Sequence, residues 1–372
     1  MFLQNTSIHA ELEDNEGKCD FLFVECEAVC EFACHRKPTA SQLAHLADHE
    51  EIVDTMPWSH LSAKDLLQID RAIHKPATLE KLHSVYDTMD RSIVSHSRGD
   101  RVVRFLEHAE LAKLDPELLF WPCVDHCRYE CMHQVVSDRE VDVKFFGKWP
   151  FRRVWICQEF LSTLWSIANG LPYLIWYMTP TARTARPIYS AYTIILLLMW
   201  TSSAVFHCRD CLVTMYFDYF FASAGIIGNF SVALDNIAND YRVPNMIRFF
   251  FAFFLSLSWI VHVSYMLLVD FDFEWNMTVA IFFGALGTLH WTYWWYTNRV
   301  KRSHAWMILP GTLGLFPFLI LFELNDFPPG ELGLADAHSF WHLSTIAMST
   351  LWALFMYLET KFGKHLDDDK NV

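Results

Sequence analysis

Three histidines, one aspartate and one serine lie at the ends of hydrophobic runs, where such side chains are costly unless they are used. Ser203 and His207 are four residues apart in S-A-V-F-H-C-R-D, and His338 and His342 are four apart in H-S-F-W-H. On a helix each pair shares one face. Asp218 follows early in the next run, in D-Y-F-F-A. An ionisable group inside a bilayer costs roughly 3 kcal/mol or more unless it is paired or wetted, so intramembrane ionisable residues are candidates for function. Three neutral imidazoles with an open fourth position are the donor set of catalytic zinc, which brings the pKa of a bound water to about 7. His207, His338 and His342 are the candidate ligands. Asp218 is the candidate general base, passing a proton to a leaving alkoxide. Ser203 is placed to orient the water or to hold a developing oxyanion. The plainer readings are a serine bonded back to its own helix and histidines that are packed hydrogen-bonding residues.

The elements that must position these groups are hydrophobic helices. The 372-residue chain is 53% hydrophobic and 16% aromatic, with a positive mean hydropathy, which points to a membrane protein. The averages conceal two halves. Residues 1–148 are charged and rich in histidine, whereas the remainder carries apolar runs of about 20 residues, enough to cross some 30 Å of hydrocarbon. The expected fold is an all-α membrane protein: a seven-transmembrane helix bundle over 149–358, an N-terminal lumenal Cys-rich helical domain over 1–148, and a cytosolic tail over 359–372. The spans are expected at about 154–178, 188–207, 211–234, 246–269, 277–296, 305–324 and 337–358.

Basic residues in short loops set the orientation. Arg183 and Arg186 follow the first span, Arg242 and Arg248 precede the fourth, and Arg299, Lys301 and Arg302 follow the fifth, so these loops are read as cytosolic. The second span then ends, and the third and seventh begin, on the lumenal side. His207, Asp218, His338 and His342 fall at similar depth, an outcome that inverting the whole topology would not change. A net charge of −14 argues against nucleic acid as a partner. No P-loop, Rossmann glycine pattern, G-x-S-x-G elbow or EF-hand occurs, and nothing specifies an oligomeric state.

Six cysteines form two triplets of the form C-x3-C-x3-C: Cys26, Cys30 and Cys34, then Cys123, Cys127 and Cys131. On antiparallel helices they could close as Cys26–Cys131, Cys30–Cys127 and Cys34–Cys123 in an oxidising lumen. A thiolate zinc site is the competing reading, although C-x2-C is its commoner spacing. Between the triplets, Ser62 and Asp65 form a capping-box pattern ahead of an amphipathic helix. The first 18 residues hold four acids and no apolar core, so no signal peptide is expected in them. Either a leader precedes this sequence or the first span carries the N-terminal domain across. Asn5 and Asn276 head glycosylation sequons on the expected lumenal side.

At these residues the chain resembles the post-GPI-attachment-to-proteins factors, membrane hydrolases that remodel fatty acids on GPI anchors. The resemblance rests on C-V-D-H-C-R-Y-E-C-M (123–132), F-G-K-W-P-F-R-R (146–153), Q-E (158–159), S-A-V-F-H-C-R-D (203–210), D-Y-F-F-A (218–222), H-V-S-Y (262–265), N-D-F-P-P (325–329) and D-A-H-S-F-W-H (336–342). That family is similar in turn to alkaline ceramidases and adiponectin-type receptors. The resemblance implies zinc on His207, His338 and His342 with Asp218 and Ser203 beside it, GPI-anchored proteins as substrate, cleavage of the sn-2 acyl ester, and residence in the endoplasmic reticulum or Golgi membrane. An alkaline-ceramidase-like amidase, or a receptor or folding factor with structural zinc, are the alternatives. Residues 35–122 are longer than the resemblance suggests, Cys208 stands where a small polar residue is expected, Met215 where an acid is, and Phe160 where a proline is.

Overall fold

The computed structural model describes residues 121–139, 143–145, 147–330 and 332–368. The first cysteine triplet, and the helices expected between the triplets, fall outside the described residues. The chain divides into two compact units, Met1–Pro150 and Phe151–Val372.

In the first unit, α1 (Cys123–Arg139) carries the second cysteine triplet at successive turns. Cys131 is fully buried and disulfide-bonded; the three expected pairings involve residues outside the described set. After α1, Phe145 and Lys148 exchange both backbone hydrogen bonds (2.8 and 3.1 Å) around Gly147, whose φ of 77° is a conformation that other residues rarely adopt. The Lys144 ammonium lies over the Trp149 ring.

The second unit contains seven long helices among the described residues, one for each hydrophobic run: α2 (Phe160–Met178), α3 (Pro187–Cys208), α4 (Leu212–Asp240), α5 (Asn245–Leu268), α6 (Phe273–Asn298), α7 (Ser303–Leu324) and α8 (Ala337–Asp368). Three of them, α3, α4 and α5, are long and apolar enough to cross a membrane by length and composition. Helices α2 and α8 carry polar stripes that lower their average hydropathy. Local signals set the ends. Pro180 follows α2, Pro187 opens α3 and Pro244 precedes α5, each where a missing N–H costs nothing. Asp272 caps α6 by accepting the Trp275 N–H at 3.0 Å. Helix α2 begins six residues later than the hydrophobic run suggests, because 154–157 form a tight turn instead.

Connections are short, so successive helices run antiparallel. Helix α2 packs on α3 and α8, α3 on α4, α4 on α6, α6 on α7 and α7 on α8, closing a ring of six with α5 laid against α4. One end of the ring is filled by aromatic side chains. Trp291 stands edge-on to Trp294, Trp352 and Phe355 at 4.8–5.7 Å between centroids, and Trp176, Tyr189 and Tyr192 close over them.

The same end is held by ion pairs, half-buried at Asp235 and buried at Glu359. Asp235 on α4 accepts from Arg186 ahead of α3 (2.7 Å) and from Arg248 on α5 (2.5 Å). Arg302, ahead of α7 and 3% exposed, pairs with Glu359 on α8 and with Asp240 on α4 (3.2 Å). Helix α8 thus runs past residue 358, and Glu359 is one of its buried positions. Truncating one member of a buried pair leaves an uncompensated charge. Glu359→Ala is expected to lower the unfolding free energy in detergent by about 3 kcal/mol, and Arg302→Met with Glu359→Leu to recover most of it; thermal melts of the purified variants check both.

Candidate metal centre

The opposite end of the ring collects the polar residues. Helix α3 delivers His207 in its last turn, stopping at Cys208 because Arg209 turns to extended backbone (φ −137°, ψ 98°). Helix α8 delivers His338 and His342 in its first turns. Its start is set by Asp336, which accepts both the Ser339 N–H and the Ser339 hydroxyl at 2.7 Å. Burial pushes the Asp336 carboxyl above its ordinary range, and the Ser339 bonds work against that. The approach to α8 is fixed at Gly333 (φ 65°), whose carbonyl accepts from Arg152 N–H at 2.8 Å and whose missing side chain would press on Arg152.

The three histidines converge. One nitrogen from each of His207, His338 and His342 lies within 4.8 Å of the other two. His338 Nε2 and His342 Nε2 face each other at 3.1 Å, and the ring of His207 is 4.7 Å from that of His342 and 5.4 Å from that of His338. His207 Nε2 is buried with no hydrogen-bond partner. Nitrogens about 2.0–2.1 Å from one tetrahedral ion stand about 3.3 Å apart. The group therefore fits a metal ion by donor type, by spacing and by its orphaned nitrogen. A buried imidazole nitrogen left unanswered costs about 1–3 kcal/mol.

Around the three rings a seam of small polar side chains joins α2 to α3 and α8. Ser162, Ser166 and Asn169 form a stripe on α2, all fully buried. Ser162 bonds Ser339 (2.8 Å), Ser166 bonds His342 Nδ1 (3.3 Å), and Asn169 donates to the His342 carbonyl (2.8 Å) while accepting from Ser349 (2.7 Å). Glu159, just ahead of α2, lies 2.6 Å from His207 Nδ1 through Oε2. A disulfide joins Cys157 to Cys208. Beside it Gln158 N–H and Glu159 N–H donate to the carbonyls of Cys208 (3.0 Å) and His207 (2.9 Å).

Ser203 is buried one turn before His207, and its hydroxyl meets that of Ser166 at 3.1 Å. It reaches His342 through Ser166. Asp218 is half-buried on α4 and is not a member of the three-nitrogen group. His262 pairs with the Asn276 side chain at 3.2 Å, and His290 with the Leu286 carbonyl at 2.7 Å, so both take part in helix packing. The Cys157–Cys208 bridge, Ser166 and Asn169 are not among the residues that the sequence singles out. The signal for the last two was available: serine and asparagine at i, i+4 and i+7 in an otherwise apolar run.

Fold and site together define an all-helical membrane protein with three histidines that could hold a metal ion between two helix ends. The Per1-like family profile matches residues 113–360, and the chain belongs to that family. It is 33% identical over 254 residues to a Xenopus tropicalis protein named GPI-specific phospholipase A2-like PGAP3, covering 63% of this chain and 76% of that one. It is 30% identical over 315 residues to the Xenopus laevis protein of the same name, covering 75% and 95%. Against the Saccharomyces cerevisiae protein named Protein PER1 it is 29% identical over 291 residues, covering 67% and 80%. No solved structure matches.

The cysteines give a direct check. Cys211, the free cysteine ahead of α4, accepts from the Thr214 hydroxyl, which lowers its thiol pKa below the ordinary value. Non-reducing peptide mapping is expected to recover Cys157 and Cys208 in one linked pair. Under native conditions near pH 7, Cys211 is expected to be alkylated faster than an unperturbed thiol.

Proposed function

We propose that this chain is a zinc-dependent acyl-ester hydrolase of the membrane that removes the sn-2 fatty acid from GPI anchors, a phospholipase A2-type step. The observation that carries this reading is the convergence of His207, His338 and His342 with a buried, unanswered nitrogen at its centre. The names of its relatives supply the bond and the lipid. All seven helices cross the bilayer, and the histidine end faces the lumen of the endoplasmic reticulum or Golgi. The Cys157–Cys208 disulfide supports that side, since such bonds persist in oxidising compartments. So does the clustering of Arg183, Arg186, Arg248, Arg299 and Arg302 near the other end.

His207, His338 and His342 hold the zinc. When bound, it supplies Lewis acidity, lowering the pKa of a water to about 7 and polarising the ester carbonyl. Asp218 takes the proton from the attacking water and returns it to the leaving alkoxide, so that water and ester become a free fatty acid and a lysolipid. Ser203, with Ser166, keeps the polar side of the histidine cluster in place and offers a hydroxyl toward the developing charge.

Elemental mass spectrometry of purified protein is expected to find about one zinc per chain in the wild type and none in His338→Ala/His342→Ala. Zinc-free wild type would overturn the reading. Asp218→Asn is expected to keep its zinc and to lose on the order of 10²–10⁴ in the rate of fatty-acid release. An unchanged rate would point to a receptor or folding factor, and release from ceramide instead of GPI lipid to an amidase.

A further inference from the structure

Glu159 stands at the residue before α2, and although its carbonyl accepts the Thr163 N–H at 3.0 Å, its side chain makes no capping bond to that helix. Its carboxylate crosses to α3 and meets His207 Nδ1 at 2.6 Å, with 5% of Glu159 and 3% of His207 exposed. A carboxylate has no proton to give, so the imidazole donates Nδ1–H and its second nitrogen is left as a lone pair. That second nitrogen is Nε2, buried with no hydrogen-bond partner, and it is the one left to join His338 and His342. Among the imidazole's two tautomers the contact selects the one that can ligate there.

Glu159 cannot drift from this place. Its backbone N–H is bonded to the carbonyl of His207, and the N–H of Gln158 to that of Cys208. One residue earlier the chain is covalently tied to Cys208. On the other side, Val154 and Cys157 exchange both backbone bonds at 3.1 Å across a turn in which Trp155 takes φ 55°. Such a conformation costs a tryptophan about 1–2 kcal/mol, and the surrounding bonds offset it. A covalent link, two hydrogen bonds and a strained turn thus converge on one side-chain contact.

We propose that Glu159 is a positioning residue of the metal centre, and that the Cys157–Cys208 disulfide is the brace that holds it against His207. The proposal rests on the zinc reading above. Glu159 fixes the ring angle and tautomer of His207; partners of this kind typically change metal affinity about 10–100-fold. The disulfide makes the segment ahead of α2 and the end of α3 move as one body.

The test measures the melting temperature of the purified full-length protein against buffered free zinc. The zinc-free melt reports the fold, and the zinc concentration giving half the stabilisation reports affinity. Glu159→Ala is expected to need about 10–100 times more zinc than the wild type. Glu159→Gln, which keeps an acceptor for Nδ1–H without the charge, is expected to fall between the two. Cys157→Ser/Cys208→Ser, with Glu159 present, is expected to shift in the same direction. A residue of merely structural importance would lower the zinc-free melt and leave the half-point where it was, and that result in Glu159→Ala overturns the proposal. Should that variant not fold, Glu159→Gln decides by the same criterion. An unshifted half-point in the double cysteine variant removes the brace. A wild type that does not respond to zinc overturns the metal reading and this proposal together, whereas a responsive wild type with an equally responsive Glu159→Ala overturns only this one.

Discussion

A polar side chain between apolar helices is costly unless its hydrogen-bonding capacity is met, and the histidine-bearing half of this ring is built around that demand. Each of the three rings needs two nitrogens accounted for. Glu159 meets one on His207, Ser166 one on His342, and the inward nitrogens of His338 and His342 meet each other. The stripe of Ser162, Ser166 and Asn169 exists on α2 because α8 presents Ser339, His342 and Ser349 opposite it. With leucine at those positions α2 would pack as well on lipid as on α8, since hydrocarbon offers apolar side chains as good a surrounding as protein does. The seam therefore decides which face of α2 turns inward.

The two ends of the ring solve different problems. At one end, large rings packed edge to face and buried guanidinium–carboxylate pairs leave little freedom to helices α3 to α8. At the other, small hydroxyls and amides hold three imidazoles whose nitrogens converge. Stiffness at the first end allows finer, weaker contacts at the second to keep their geometry, because helices about 30 Å long that are fixed at one end have little freedom to splay at the other.

Much of this was legible in the chain itself. The histidine pair at i, i+4 and the Ser203–His207 pair could be assigned to helix ends because the runs around them are long and apolar, and their common depth followed from counting helices. The seven runs became seven helices for the same reason. What could not be read were contacts between residues far apart in sequence with no periodicity to announce them. Glu159 follows a glutamine in an unremarkable loop, and only its place beside α3 gives it a partner. Cys157 and Cys208 belong to no repeat, unlike the two triplets, so counting cysteines favoured the triplets. The late start of α2 escaped because Val154, Trp155 and Ile156 are apolar, and apolar composition does not reveal a turn closed by backbone hydrogen bonds and tied through Cys157 to α3.

That bond also bears on how the chain enters a membrane. Cys157 and Cys208 flank a helical hairpin and are separated by 51 residues. On the proposed topology, two crossings between them return the polypeptide to the side it left and bring the two sulfurs to one face of the bilayer. A nascent chain in which one of α2 and α3 failed to cross would hold its thiols on opposite faces of the bilayer and could not oxidise. On that topology the disulfide distinguishes a hairpin with both helices across from one with a single crossing.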